Sequence, residues 1–209
     1  EMIARMNAML CEQNAASMLH SNQVIQVSNN SWGASDDGET LDGPGTLMKL
    51  GLQDGARNGR GGKGTIFVWP SGNGRQTQDN ANYDGYANSI YTIAVCALNS
   101  LGQQASFSEP GACLVVAAPS GVEGGANERG ILTTDLTGEG GQNHSAVTGD
   151  SADRDYTQRF GGTSAVTPMV AGVSALLLQA NPNLGWRDVQ EILLRSALKV
   201  DATDADWMT

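Results

Sequence analysis

Apolar residues recur every three to four positions in the first segment, EMIARMNAMLCEQNAASML (1–19), placing Met2, Ile3, Met6, Met9 and Leu10 on one helical face. A strand-like stretch, VIQVS (24–28), follows. The alternation returns after the turn-rich WGASDDGETLDGPG: TLMKLGLQDGARNG (46–59) reads as a helix, RGGKG as a turn and TIFVW (65–69) as a strand. Two further strands, SIYTIAVCAL (89–98) and ACLVVAAP (112–119), are apolar at nearly every position, as strands covered on both faces are. Residues 120–162 are polar and glycine-rich with no clear period. SAVTPMVAGVSALLLQA (164–180) then gives a nearly all-apolar, buried helix. NPNLG supplies a turn, and WRDVQEILLRSA (186–197) a last helix with Val189, Ile192, Leu193 and Ala197 on one face. Strands alternating with helices predict an α/β fold with a parallel sheet. No internal repeat is visible.

At 209 residues the chain is long enough for one domain with a sizeable core, and its 27 glycines allow many tight turns. Twelve basic against twenty-two acidic residues give a formal net charge of -10, which excludes a general binder of phosphate backbones. An acidic surface that aids solubility accounts for this charge; a cationic substrate or a hard metal ion would fit it too. Cys11, Cys96 and Cys113 form no CxxC and are odd in number, so they make neither a zinc site nor a complete disulfide framework. Cys96 and Cys113 lie in neighbouring apolar runs, where they either pair or stay as buried thiols. No run approaches the roughly 18 consecutive apolar residues of a membrane span. The chain opens in helical periodicity with neither an initiator Met nor a signal peptide, as a piece of a longer protein would.

The chemistry concentrates in FGGTSAVTPMVAG (160–172). Two glycines before Ser164 and a buried helix after it put the hydroxyl beside unpaired backbone N–H groups and the positive end of the helix dipole. That arrangement suits an oxyanion, although a serine or threonine before an apolar run also serves as a simple helix cap.

The longer pattern G-T-S-A-x-x-P-x-V-A-G is more specific, and with it the chain resembles the subtilisin-like serine proteases, above all their kexin/furin-like branch. The resemblance extends over nearly the whole chain in separated blocks: SNNSWG (28–33), DDGETLDGP (36–44), GTIFVWPSGNG (64–74), DGYANSIYTIAV (84–95), ILTTDL (131–136) and GGTSAVTPMVAGVSALLLQANPNLGWRDVQ (161–190). It implies a three-layer subtilisin-like α/β fold, a mostly parallel sheet with helices on both faces. By position it makes Ser164 the nucleophile and Asn73 the oxyanion-hole amide. Ser31, Trp32 and Gly33 become the edge segment that pairs with an extended substrate, and Pro70, Ser71 and Gly72 the other side of the first specificity pocket. Asp36 and Asp84 fall on positions that receive Arg or Lys in that pocket, and Asp42 on one that meets a basic side chain further along the substrate. Asp36, Asp79 and Glu109 match carboxylates that hold Ca²⁺ beneath it, an oxygen-only set that suits calcium better than zinc. The resemblance thus implies a secreted, calcium-dependent endopeptidase acting on peptide or protein substrates with basic residues.

The chain also departs from the pattern. Relatives place a disulfide near positions 81 and 111, where this chain has Ala81 and Gly111. Residues 137–159 form a longer loop than the corresponding one. Subtilisin-like triads run Asp, His, Ser, but His20 precedes every Asp and His144 lies in the longer loop, matching no catalytic position. The family's Asp and His are therefore expected upstream, in an N-terminal remainder or pro-region, so that 1–209 is a partial catalytic domain inactive by itself. A peptide-binding pseudoprotease and a broad-specificity subtilisin remain alternatives.

Overall fold

The computed structural model describes residues 13–121 and 129–203. Four parallel strands form one sheet in the order β1 (Val27–Asn29), β2 (Ile66–Pro70), β3 (Thr92–Leu98), β4 (Leu114–Pro119). Val27 pairs with Ile66, Phe67 with Thr92 and Ala94 with Leu114. β2 is buried at every position, because alternate side chains enter two different cores. Ile66 and Val68 join Ile93 and Val95 against helices α2 (Thr163–Ala180) and α3 (Trp186–Ser196). On the other face Phe67 and Trp69 pack with Met48, Leu52 and Ala56 of α1 (Thr46–Gly62) and with Met18. The result is the three-layer α/β arrangement.

Of the first expected helix, residues 13–19 are helical and bury Ala15 and Met18; Met2, Ile3, Met6, Met9, Leu10 and Cys11 lie outside the described residues. The first strand begins later than its apolar pattern implies, because the backbone N–H groups of Val24 and Ile25 turn back to the Ser21 carbonyl. The stretch 120–162, read as irregular, contains an antiparallel hairpin, β5 (Ile131–Thr134) with β6 (Tyr156–Phe160). The connection between them is organised by Asn143, whose buried Nδ2 donates to the carbonyls of Ser151, Asp153 and Tyr156, and by Asp150, which accepts from the N–H groups of Ser151 and Gln158 and the Thr157 hydroxyl.

By length and apolarity α2 could cross a membrane. It packs against all four strands, with Thr163, Thr167 and Ser174 fully buried. The two internal hydroxyls are neutralised by the helix itself, Thr167 donating to the Thr163 carbonyl and Ser174 to that of Val170. Cys96 and Cys113 are free thiols. The register sets Cys96 opposite Ala117, and burial pushes the Cys96 thiol up to about 11 and raises that of Cys113 as well.

Candidate active site

All four strands of the sheet point the same way, so the segments leaving their C-terminal ends meet on one edge, where open α/β sheets bind ligands. Ser31–Gly33 follow β1 and Ser71–Asn73 follow β2. The N-terminus of α2 is tied to the segment after β4 by Ser120, whose Oγ donates to the Gly162 carbonyl at 2.9 Å, and by the Gly162 N–H, which donates to Gly121.

Gly162 adopts φ 75°, and a Cβ there would stand 3.1 Å from Asn73 Oδ1. Glycine thus permits both the left-handed turn and the approach of Asn73. The Thr163 N–H and hydroxyl both donate to Asn73 Oδ1, at 2.8 and 3.0 Å. A backbone N–H needs an acceptor, so the amide oxygen faces the helix and the NH₂ is left uncommitted to any described residue. Ser164 follows in the first turn of α2, where N–H groups lack intrahelical partners, and its own carbonyl accepts from Ser31 Oγ at 3.0 Å.

Beside this arrangement lies a small recess lined by Ala34, Ser35, Asp36, Thr40, Gly72, Asp79, Tyr83, Asp84 and Glu109. Asp84 is buried, its carboxylate accepting from the backbone of Tyr86 at 2.6 Å and Ala34 at 3.4 Å. Burial raises its pKa, the charge of Asp42 adding to the effect against the lowering by these backbone donors. Gly33 sits directly over it: a Cβ there would fall 2.7 Å from Asp84 Oδ2. Asp42 reaches the site through the backbone, in a parallel bridge to Asp84, while its carboxylate accepts from Gly43 N–H.

Three carboxylates surround the loop that carries Asn73. Asp36 accepts from Asn73 N–H at 3.2 Å, Glu109 from Gly74 N–H at 2.9 Å, and Asp79 from Gly38 N–H at 3.0 Å. Burial, with Asp79 and Asp36 close by, pushes Glu109 up to about 8 despite the hydrogen bond from Gly74. Among the described residues the three do not draw together into a ready metal-ligating cluster; their oxygens are engaged by backbone donors.

Of the residues expected from the sequence, the structure brings Ser164, Asn73 and Ser31 into direct or one-residue contact, and Asp36, Asp79, Asp84, Glu109 and Gly72 into one recess. Trp32 does not line the recess and belongs to an aromatic cluster, its ring 4.8 Å from Trp69 and 5.0 Å from Tyr86. Pro70 and Ser71 are buried in the sheet end instead of lining the recess; Ser71 N–H donates to Val95. Sequence reading missed Thr163, Ala34, Ser35, Thr40 and Tyr83. Thr163 was the most accessible of these, since it stands between Gly162 and Ser164. Neither histidine meets Ser164 among the described residues: His20 is exposed after the first helical turns, and His144 Nδ1 accepts from Ala146 within its own loop.

A parallel sheet between two helical layers, with Ser164 in the first turn of the helix whose N-terminal Thr163 holds Asn73, defines a three-layer α/β protein. The chain belongs to the subtilase family, whose profile matches residues 5–207. It is 41% identical over 185 residues to furin-like protease 1, isoform 1-CRR, of Drosophila melanogaster, covering 88% of this chain and 15% of that protein. It is 43% identical to proprotein convertase subtilisin/kexin type 7 of Mus musculus, covering 90% of this chain and 22% of that protein. The chain therefore spans less than a quarter of either relative. Among solved structures, the serine protease of Aeromonas sobria superposes with a TM-score of 0.73 at 26% identity, over 86% of this chain and 35% of that one. A lanthipeptide protease, at 20% identity and a TM-score of 0.68 over 91% of this chain and 59% of its own, shares the fold.

Proposed function

We propose that this chain is part of the catalytic domain of a secreted serine endopeptidase that cleaves peptide bonds after basic residues. The observation that carries the reading is the double hydrogen bond from Thr163 to Asn73 Oδ1, which leaves the Asn73 NH₂ free beside Ser164. In the proposed reaction Ser164 Oγ attacks the scissile carbonyl carbon and gives its proton to a base. The resulting oxyanion is met by the Asn73 NH₂ and the Ser164 N–H. Collapse breaks the C–N bond, the amine leaves with the proton, and water then hydrolyses the acyl-enzyme. The base and its orienting Asp belong to an N-terminal remainder of the domain, so the 1–209 chain alone lacks turnover beyond a residual ~10³–10⁴-fold over water, the magnitude known for subtilisin stripped of its triad.

Ser31, Trp32 and Gly33 offer a backbone edge to an extended peptide, and Gly33 gives the substrate a close approach to the buried Asp84. Asp36 and Asp84 then favour a cationic side chain in the recess, since an apolar one would leave carboxylates unpaired. Asp42 lies where a second basic residue of the substrate would run. Asp36, Asp79 and Glu109 are the oxygen ligands that would take Ca²⁺ once drawn together: burial, with the Asp79 and Asp36 charges adding to it, pushes Glu109 up to about 8, and a hard cation would offset the repulsion among them. Calcium would hold the Asn73 loop in place, since Asp36 and Glu109 already grip consecutive N–H groups of that loop.

The test compares the full-length protein with the 1–209 chain on a chromogenic peptide ending in Arg or Lys. Cleavage by the full-length protein that Ser164→Ala abolishes, with none by the chain alone, supports the reading. Ser164-dependent cleavage by the chain alone overturns the missing base, and preference for large apolar residues overturns the basic pocket. A full-length protein that binds such peptides without cleaving them is a peptide-binding pseudoprotease.

A further inference from the structure

We propose that Asn29 is a positioning residue for Ser164: its amide NH₂ donates to Ser31 Oγ at 3.1 Å and thereby commits the one Ser31 proton to the Ser164 carbonyl. The inference rests on reading Ser164 as the nucleophile.

The two asparagines at the end of β1 do different work. Asn30 is buried, and its Nδ2 donates to the carbonyl and hydroxyl of Ser28. Asn29 is exposed and meets Ser31, two positions on, as alternate residues of an extended chain do.

Proton accounting decides what the Asn29 contact does. A hydroxyl has one proton to give and lone pairs with which to receive, whereas a backbone carbonyl can only receive. The Ser164 carbonyl needs a donor from outside its helix, since Pro168 has no N–H to offer from the next turn. Ser31 is that donor, at 3.0 Å. Its oxygen is then left to accept, and of the two ends of the Asn29 amide only the NH₂ can donate to it. Were position 29 an acceptor, the Ser31 proton would have two oxygens to choose between, and an ionised carboxylate attracts it more strongly than a carbonyl does. The first turn of α2 would lose its tie to the end of β1. That turn carries Ser164 together with Thr163, which holds Asn73 Oδ1. A shift there would misplace the attacking hydroxyl against the amide that meets the oxyanion.

The experiment compares Asn29→Ala, Asn29→Asp, Pro168→Ala and Asn29→Asp/Pro168→Ala in the full-length protein, by steady-state kinetics on a chromogenic peptide ending in Arg. Asn29→Ala removes the donor without adding a rival acceptor and should lower kcat about threefold or less. Asn29→Asp should lower it about tenfold with KM little changed. A space-filling role predicts the opposite ranking, because Asp matches Asn in shape and Ala does not. Pro168→Ala returns an N–H to the Ser164 carbonyl, so in that background Asn29→Asp should cost about threefold or less. A carboxylate that acted only by its charge on this acidic chain would gain no such relief. Urea melts of the same variants check each fold. If Asn29→Asp does not fold by itself, a folded Asn29→Asp/Pro168→Ala supports the role and an unfolded one overturns it. A loss for Asn29→Asp no greater than for Asn29→Ala, or one that Pro168→Ala leaves untouched, overturns the positioning role while the proposed function stands. A full-length protein without Ser164-dependent cleavage overturns the proposed function and this role with it.

Discussion

The hydroxyl of Ser31 donates to the backbone carbonyl of Ser164 at 3.0 Å, which is the carbonyl that α2 cannot satisfy by itself. In an α-helix that oxygen would accept from the N–H four residues on, but position 168 is proline, inside the helix and without an N–H. Ser31, brought from the end of β1, supplies the missing donor and ties the strand edge to the first turn of α2.

Ser31→Ala should therefore destabilise the chain by about 1–2 kcal/mol, the cost of leaving a partly buried carbonyl unsatisfied. In Ser31→Ala/Pro168→Ala the restored N–H at 168 should recover part of that loss, a coupling that urea melts of both single variants and the double variant would resolve. Strictly additive effects would show that the Ser31 bond does not stand in for the one removed by proline.

Thr163 should act on Asn73 through orientation. In the full-length protein Asn73→Ala is expected to lower kcat by about 10²–10³, the magnitude known for subtilisin's own oxyanion-hole asparagine, with KM little changed. Thr163→Val removes one of the two donors to Oδ1 and keeps the shape, so its loss in kcat should be smaller, about tenfold or less. Combining the two should cost no more than Asn73→Ala alone, because without the amide there is nothing left to orient. Steady-state kinetics on one peptide substrate decides this.

The parallel sheet and the helices were legible because their patterns are strong: SIYTIAVCAL reads as covered on both faces from its nearly continuous apolar run, and 164–180 as a buried helix. The hairpin of Ile131–Thr134 with Tyr156–Phe160 was not, since ILTT and YTQRF carry little apolar alternation and their pairing spans a long polar connection. Ser164 and Asn73 could be singled out as candidates because each sits in a short block with a distinctive glycine setting. Ala34, Ser35 and Tyr83 could not: they line the recess only because a bridge between Asp42 and Asp84 folds two distant loops together. Such long-range closeness leaves no mark in local sequence.

Calcium and pH should act in opposition on stability. Burial pushes Glu109 up to about 8 in the fold, well above the ordinary glutamate value of about 4.3 that it recovers on unfolding, so between those values the folded chain binds more protons than the unfolded one. Stability then falls as pH rises through that window. Calcium-free 1–209 should accordingly melt at lower temperature at pH 8 than at pH 5, and Glu109→Gln should flatten the dependence. Adding calcium at a hundredfold excess over its dissociation constant should contribute about 2.7 kcal/mol, more at pH 8 than at pH 5 because the proton then competes less. Scanning calorimetry across pH with calcium or chelator tests both; no calcium effect at either pH would remove the ion from the proposal.

Ala81 and Gly111 occupy the place where the resemblance puts a disulfide, and the structure has kept its geometry. A Cβ on Gly111 would stand 3.0 Å from that of Ala81, and Ala81 N–H donates to the neighbouring Pro110 carbonyl at 3.0 Å. Cβ atoms of a disulfide are about 3.5–4.5 Å apart, so the two loops need to part by only about half an ångström. Ala81→Cys/Gly111→Cys should oxidise spontaneously, closing a loop of roughly 30 residues and adding about 3–4 kcal/mol in the chain-entropy account. The gain should disappear on reduction, which separates the bridge from any effect of the substitutions themselves. Cys113, two residues away, is the thiol that could mispair, so the experiment belongs in a Cys113→Ser background with the bridge checked by peptide mapping. A bridge that forms yet leaves the melting temperature unchanged would mean that the two loops already stay together in the unfolded ensemble. A bridge that does not form would mean that the close packing beneath the recess cannot yield even that half ångström.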